Sequence, residues 1–439
     1  MAIRIRPLLA FTVTSLIAAA PPAGAQAPFG RWEGTISHDD RNWPVRADVV
    51  PDGDAAGAYL DFPAYGLYYR RAEIRPRPNG VVIVYVSGRD TVVFDGIQRA
   101  DTIAGRWTGI GVDAEFRLVR LGDAPMRLVE ETVRFANGDV SLVGRLVKPA
   151  GQGPWPAIVW VHGSGPQSRD EDFYRDRAYL LARRGVAALI YDKRGVGGST
   201  GDADATLDEL AGDAVAAVRY LQGRPDIRGD HVGVGGFSQG GYVAPLVAAR
   251  YGRIAFVAVG SAPGVTPEEQ NDYAALTALQ RAGFDSASVA EAMRVRRAVT
   301  RFQLGDGDSS AVAAEIESVR TRRWYRAADL PVRPVARLGE RGRSVLRFDP
   351  LPVWSRVHVP VLAIWGAEDR LVPAERSRTA IERAMPPATR GMARLVVFPH
   401  ASHGLLVVPP PGAGFDWPRL APGFHELLAD WIATAAKAR

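Results

Sequence analysis

Along the first third of the chain, apolar residues fall in short β-branched runs separated by turn formers. Val81–Val86 and Thr91–Phe94 are such runs, and Pro51-Asp52-Gly53 and Pro78-Asn79-Gly80 are such turns. Runs of this length between Gly and Pro punctuation predict strands, and residues 26–122 read as a small all-β domain. Gly30-Arg31-Trp32-Glu33-Gly34 returns as Gly105-Arg106-Trp107-Thr108-Gly109. The repeat suggests two similar strands that pair and close a small barrel or sandwich.

The pattern then changes. Arg127–Lys148 reads as two strands about the turn Ala136-Asn137-Gly138-Asp139. After it, apolar strand runs at 157–161, 186–191, 231–235 and 254–259 alternate with helical spacing at 173–184, 207–221 and 242–250. Such alternation specifies a mostly parallel sheet covered by helices on both faces. It stops at Ala262 and resumes at Val361–Trp365, with a last strand at Leu395–Phe398 and a closing helix at Phe424–Ala436. Between them, at about 264–355, lies a helix-rich, arginine-rich insertion within a domain spanning 123–439. Its amphipathic stretches are Asp272–Arg281, Ser288–Phe302 and Ala311–Tyr325.

The first 25 residues have a different character. Arg4 and Arg6 precede an apolar stretch from Leu8 to Ala20, and Ala23-Gly24-Ala25 follows. This is the plan of a secretory signal peptide, with cleavage expected after Ala25 and export to the periplasm or medium. The apolar stretch is too short for a membrane span, which needs about 20 residues.

Four loops carry candidate chemistry, each just after a predicted strand. Gly236-Phe237-Ser238-Gln239-Gly240-Gly241 lies between a strand and a helix. A nucleophile lifted onto a tight strand-to-helix turn needs small neighbours, because side chains would strike the crossing backbone. Val161-His162-Gly163-Ser164-Gly165-Pro166 is an earlier strand's loop. An acyl transfer needs N–H donors aimed at the oxyanion, and the amides of Ser164 and Gln239 are the candidates. His162 reads as a structural loop histidine. Asp369, in Gly366-Ala367-Glu368-Asp369, is placed to orient a histidine, with Glu368 as the alternative. His403, before Gly404, is the expected general base, with His400 as the alternative. The order Ser238, Asp369, His403 matches the nucleophile–acid–base order of hydrolases built on such a sheet.

On these motifs the chain resembles the α/β-hydrolase superfamily, in its secreted esterase and serine-aminopeptidase-like group. The resemblance covers about 127–439 and includes Tyr191-Asp192-Lys193-Arg194-Gly195-Val196-Gly197-Gly198-Ser199 as well as the four loops. It implies Ser238 as nucleophile, His403 as base and Asp369 as its orienting acid. It implies a structural role for the 192–199 loop, an N-terminal β domain like those preceding some exported members, and a cap formed by the insertion. It implies no metal or organic cofactor.

Composition narrows the reading further. The 439 residues are 47% hydrophobic and 23% charged, enough apolar material for a sizeable core and too much for wholesale disorder. Cysteine is absent, which removes disulfides, cysteine-ligated zinc and a thiol nucleophile such as dienelactone hydrolases use. The net charge of +6, or +4 without Arg4 and Arg6, is nearly all arginine mixed with acidic residues, the lysines being Lys148, Lys193 and Lys437. No long basic run appears, so nucleic acid is not an expected partner. In the cap, Arg294, Arg296, Arg297, Arg320, Arg322, Arg323 and Arg326 are expected to form a solvated face with acids such as Glu291, Glu315 and Glu317, the alternative being to steer an anionic substrate into the cleft. Trp324, Tyr325 and Trp354 are expected mainly in the core rather than in an acyl pocket.

The expected activity is hydrolysis of a small-molecule carboxylic ester through an acyl-enzyme. A peptidase or amidase of the same fold is the alternative, with Glu268 or Glu269 holding a substrate amine. A non-catalytic hydrolase-fold binding protein is a third reading, weakened because such proteins generally lose a member of the triad. Oligomeric state, acyl preference and the role of the β domain are not specified by the sequence.

Overall fold

The computed structural model describes residues 27–438 except 40, 53–54, 88–89, 110, 124–126 and 409–418. The stretch read as an export signal lies outside the described residues. Internal contacts divide the described residues into two units, 27–60 with 70–123, and 61–69 with 127–438. The short segment 61–69 lies inside the span read as a separate β domain, yet it clusters with the second unit.

Among the described residues, the first unit is built on a closed barrel of eight strands. They are β1 (Gly30–His38), β2 (Arg41–Asp52), β3 (Ala55–Phe62), β4 (Leu67–Arg77), β5 (Gly80–Ser87), β6 (Asp90–Arg99), β7 (Thr102–Gly109) and β8 (Val112–Gly122). Period-two alternation turns Trp32, Ile36, Val45, Val49, Phe94, Trp107, Phe116 and Leu118 inward, where each is buried. An eight-stranded barrel is just wide enough for side chains to fill it. The repeated Gly-Arg-Trp strands do not pair with each other, because β8 lies between β1 and β7 and bonds to both. Their likeness has a local cause instead. Trp32 and Trp107 are both buried, and at the first position of the repeat a Cβ on Gly30 or Gly105 would fall 2.6 or 2.1 Å from a neighbouring strand's carbonyl oxygen.

The second unit is built on a sheet of eight strands among the described residues, covered by helices. Its sheet contains β9 (Leu128–Asn137), β10 (Val140–Pro149), β11 (Trp155–Val161), β12 (Ala187–Tyr191), β13 (Ile227–Phe237), β14 (Val257–Gly260), β15 (Val361–Gly366) and β16 (Arg394–Phe398). The spatial order is β16-β15-β14-β13-β11-β12-β10-β9, parallel from β16 to β12, with β10 and β9 antiparallel at one edge. The helices are α1 (Asp172–Ala182), α2 (Leu207–Gln222), α3 (Gly240–Tyr251), α4 (Pro267–Arg281), α5 (Ser286–Gln303), α6 (Ser309–Val319), α7 (Glu340–Leu346), α8 (Leu351–Trp354), α9 (Ala374–Ala384), α10 (Pro387–Met392) and α11 (Phe424–Ala435).

Alternate residues of each central strand feed two cores. Val159, Val234, Val259 and Ala363 join α2 and α3 on one face, while Ile158, Trp160, Ala258 and Ile364 join α1 and α11 on the other. On the second face β13 presents Gly233 and Gly235, where a Cβ would fall 2.3 Å from the Phe256 ring and 2.4 Å from the Trp160 ring. The large rings of the neighbouring strands therefore occupy the space that β13 leaves open.

The cap, α4 to α7, has its own core of Leu279, Met293, Val299, Phe302, Ile316, Trp324 and Tyr325. Helix α6 ends at Val319, and the stretch to Tyr325 continues as turns. Thr266 and Glu269 form a reciprocal capping box at the start of α4, and Asp285 and Asp308 cap α5 and α6.

Candidate active site

The carboxyl ends of β13, β14, β15 and β16 lie in a row and carry Ser238, Ser261, Asp369 and His403 in the segments that follow them. Open α/β sheets bind ligands at this end. Ser238 sits on the sharp turn between β13 and α3 with φ +56°. A non-glycine residue in the left-handed region costs roughly 1–3 kcal/mol and needs its surroundings to hold it. Those surroundings have no room for side chains. A Cβ on Gly236 would fall 2.4 Å from the Gly240 carbonyl oxygen, one on Gly240 2.6 Å from that of Val161, and one on Gly241 2.6 Å from the Ala262 Cα. The Gly-x-Ser-x-Gly-Gly spacing is thus a packing requirement, and the amino end of α3 is aimed at the serine.

Asp369 is buried and holds two sets of partners. Its Oδ1 accepts the N–H groups of Leu371 (2.8 Å) and Val372 (2.9 Å), and its Oδ2 lies 2.8 Å from His403 Nδ1. The two backbone donors fix the carboxylate plane and leave one oxygen for the imidazole. His403 is partly exposed, and its carbonyl accepts the Ser261 hydroxyl at 2.7 Å. The Ser238 N–H donates to the Gly260 carbonyl at 3.0 Å. The loops bearing Ser238 and His403 are therefore fastened to consecutive residues, Gly260 and Ser261. The competing pair, Glu368 and His400, meets at 3.2 Å with both side chains mostly exposed.

The loop after β11 passes beside the serine, since a Cβ on Gly163 would lie 3.7 Å from Ser238 Cβ. The Gly163 N–H is occupied by the Tyr174 hydroxyl at 2.7 Å. The N–H groups of Ser164 and Gln239 donate to no group among the described residues, so both remain available to an incoming anion. His162 packs edge-on against Tyr174 and Tyr191, and burial, with the charge of Lys193 second, pushes its pKa down to about 3. It is a neutral histidine of the core.

The 192–199 loop supports this floor. Asp192 accepts the N–H groups of Arg169 and Gly198, each at 2.8 Å, and Arg194 makes two 2.7 Å bonds to Asp213. Two contacts that the sequence did not point to tie the cap to the acid loop. Tyr273 Oη on α4 donates to the Asp369 carbonyl at 2.9 Å, and Thr277 Oγ1 to that of Arg370 at 2.8 Å. Both belong to the amphipathic run of α4, where a polar face reads simply as solvent-facing.

A cavity of about 930 Å³ reaches Gln239, the residue after the serine, while Ser238, Asp369 and His403 themselves do not line it. Gly165, Lys193 and Gln239 line one end, and Val299, Leu330, Leu338 and Val345 of the cap line another. Trp324 and Tyr325 sit in the cap core and Trp354 in the core of the sheet, so none of them lines this cavity. Four cap arginines meet acids, with Arg294 on Glu315, Arg297 on Asp272, Arg320 on Glu317 and Arg322 on Glu291; Arg296 departs from the expected solvated face, being buried against Asp272 and the Ala328 carbonyl where it lines the cavity. Glu269 is engaged by its capping box and by Arg376, and Glu268 lines a separate groove on the cap. Among the described residues no group of three or more His, Cys, Asp or Glu side chains could hold a metal ion, and no helix is long and apolar enough to cross a membrane.

The sequence profile described as serine aminopeptidase S33 (Hydrolase_4) matches residues 152–408, more than half of the chain. Esterase EstD of Thermotoga maritima is 29% identical over 279 residues, 62% of this chain and 60% of that protein. The putative hydrolase YtaP of Bacillus subtilis is 28% identical over 159 residues, 31% of this chain and 53% of that protein. The chain thus spans between half and two thirds of the length of these relatives. Among solved structures, Est1E of Butyrivibrio proteoclasticus with ferulic acid bound is 18% identical, with a TM-score of 0.43 over 69% of this chain and 96% of that one.

Proposed function

The chain belongs to the serine aminopeptidase S33 family of α/β-hydrolases, and from that premise we propose that it is an exported serine hydrolase cleaving carboxylic esters through an acyl-enzyme. The observation that carries the reading is that the strained Ser238 turn and the loop of His403, whose imidazole buried Asp369 holds, are fastened to consecutive residues, Gly260 and Ser261.

The steps follow from that geometry. Ser238 Oγ attacks the ester carbonyl carbon as His403 Nε2 takes its proton, and Asp369 stabilises the imidazolium at Nδ1. The carbonyl oxygen, now an anion, is accepted by the N–H groups of Ser164 and Gln239. Collapse expels the alcohol, which leaves with the proton from His403. Water then repeats the sequence, freeing the acid and restoring Ser238. The 29% identity to a protein named as an esterase supports ester over amide substrates. The prior engagement of Glu269 weakens it as a holder of a substrate amine. Arg4, Arg6 and the apolar stretch after them support export.

Two measurements test the reading. A fluorophosphonate probe is expected to label the wild type and not Ser238→Ala, and labelling of the variant would remove Ser238 as nucleophile. Short-chain p-nitrophenyl esters are expected to turn over faster than aminoacyl p-nitroanilides. Turnover of the anilides alone would convert the assignment to a peptidase.

A further inference from the structure

Lys193 is one of three lysines in the chain and the one that lines the cavity reaching Gln239, the residue after Ser238. It is buried, 6% exposed, yet no carboxylate among the described residues pairs with it. Its neighbours in sequence are matched, Asp192 by Arg169 and Arg194 by Asp213. The ammonium instead points its donors at three neutral oxygens, those of Gly163 (3.1 Å), Gly165 (3.2 Å) and the Gln239 side chain (2.7 Å). An ammonium has three N–H groups, so none is left to hold a substrate.

The identity of those oxygens matters. The Gly163 carbonyl and the Ser164 N–H belong to one peptide unit, and in a trans peptide they point in opposite directions. A cation bonded to the carbonyl fixes the plane of that unit and polarises it, strengthening the N–H on its far side. The Gly165 bond pins the other side of Ser164. The third bond holds the side chain of Gln239, whose own N–H is the second candidate donor. Both halves of the hole come from separate loops, after β11 and β13, and Lys193, after β12, joins them.

Resting on the hydrolase reading above, we propose that Lys193 is a positioning residue for the oxyanion hole, aligning the Ser164 and Gln239 N–H groups and placing a positive charge behind the developing anion. Burial pushes its pKa from 10.5 down to about 8, which leaves it mainly charged at neutral pH.

A donor that matters only as charge develops acts on kcat and leaves KM alone. In Lys193→Met, kcat for p-nitrophenyl butyrate is expected to fall about 100-fold with KM within about threefold, the scale of losing one oxyanion donor. Affinity for a trifluoromethyl ketone, whose adduct with Ser238 carries the anion, is expected to fall by a similar factor. Lys193→Arg, which keeps the charge but not the three-way fan of donors, is expected to recover about tenfold of the loss. Gln239→Leu removes one of the three acceptors and keeps the lysine, with an expected loss of about tenfold. That variant keeps the proposal testable should Lys193→Met not fold.

An unchanged kcat in folded Lys193→Met overturns the inference. So does a loss confined to KM, or ketone affinity that falls no more than substrate affinity. Wild-type protein inert to every ester and to fluorophosphonate would overturn the hydrolase reading and this inference with it. Active wild type with an indifferent Lys193→Met would sink this inference alone.

Discussion

Replacing Asp369 by Asn tests the candidate site at one proton. In the wild type, Oδ1 accepts from Leu371 and Val372 while Oδ2 faces His403 Nδ1 at 2.8 Å. An amide in that position has one favourable orientation. Its oxygen must remain on the two backbone donors, because turning it would set the NH2 against two N–H groups. The NH2 then faces His403 Nδ1, which must accept, and the ring proton moves to Nε2. In that tautomer the imidazole has no lone pair for the Ser238 proton. The analogous substitution in a serine protease triad costs about 10⁴ in kcat, which at about 1.36 kcal/mol per decade is about 5 kcal/mol of barrier.

The fold should change little, since both backbone donors keep an acceptor and the loss is that of one charge, about 1–2 kcal/mol. The assay is steady-state turnover of p-nitrophenyl butyrate, with a thermal melt of the same sample. The expected result is kcat down about four decades, KM within a few-fold and Tm a few degrees lower. A folded Asp369→Asn protein with more than a tenth of wild-type kcat would refute the reasoning. Glu368→Gln and His400→Gln serve as controls, because that pair is mostly exposed and surface pairs contribute little. Each is expected to stay within about twofold in both kcat and Tm.

Further outcomes are expected from packing and burial. Gly240→Ala would place a methyl 2.6 Å from the Val161 oxygen and 3.0 Å from that of His162, both backbone; a loss of about 2–3 kcal/mol in urea unfolding is expected, with fluorophosphonate labelling slowed. For Lys193 the folded pKa of about 8 lies below the unfolded 10.5. Between those pH values the unfolded chain holds a proton that the native state has released, so this group's stability contribution rises with pH and is lost as pH falls through 8. The stability of wild type minus that of Lys193→Met should therefore climb by about 3 kcal/mol between pH 7.5 and 10.5; parallel unfolding curves across that window would contradict the burial argument. Conversely, His162 stays neutral down to about pH 3 in the fold and protonates near 6.5 when unfolded, so acidification between those values is expected to destabilise the protein by about 4–5 kcal/mol, less in a His162→Phe variant.

Much of the second unit was legible because its signals are local. Strand β13 followed by a glycine-flanked serine and a helix can be read from spacing alone, since the close approaches at Gly236, Gly240 and Gly241 allow no side chain. Asp369, rather than Glu368, carries a local device of its own, in that the Leu371 and Val372 N–H groups turn back onto its carboxylate. What escaped depends on contacts between distant segments. Ser261 and Tyr273 look ordinary in sequence and matter only because their hydroxyls reach His403 and Asp369 carbonyls 142 and 96 residues away. Lys193 escaped for a different reason, being read as part of a structural loop when its three acceptors lie on two other loops. In the barrel the Gly-Arg-Trp repeat was visible, but which strands pair depends on closure, a non-local property, and β8 separates the two copies.

The place where the cap enters has a consequence for chain statistics. Strands β14 and β15 are parallel neighbours, so the chain leaving one must return to the opposite end of the sheet before starting the other. A dozen residues suffice for such a crossover, whereas the hundred residues 261–360 make it here. Loop-closure entropy grows only as the logarithm of length, so the extra chain costs about 2 kcal/mol in bringing the two strands together. The private core around Leu279, Phe302, Ile316 and Trp324 orders part of that chain, and Val353, Trp354 and Val357 join the core of the sheet where it returns. Seen this way, the cap is a detour of nearly constant closure cost, and its length can change greatly while the row of strand ends beneath it stays in register.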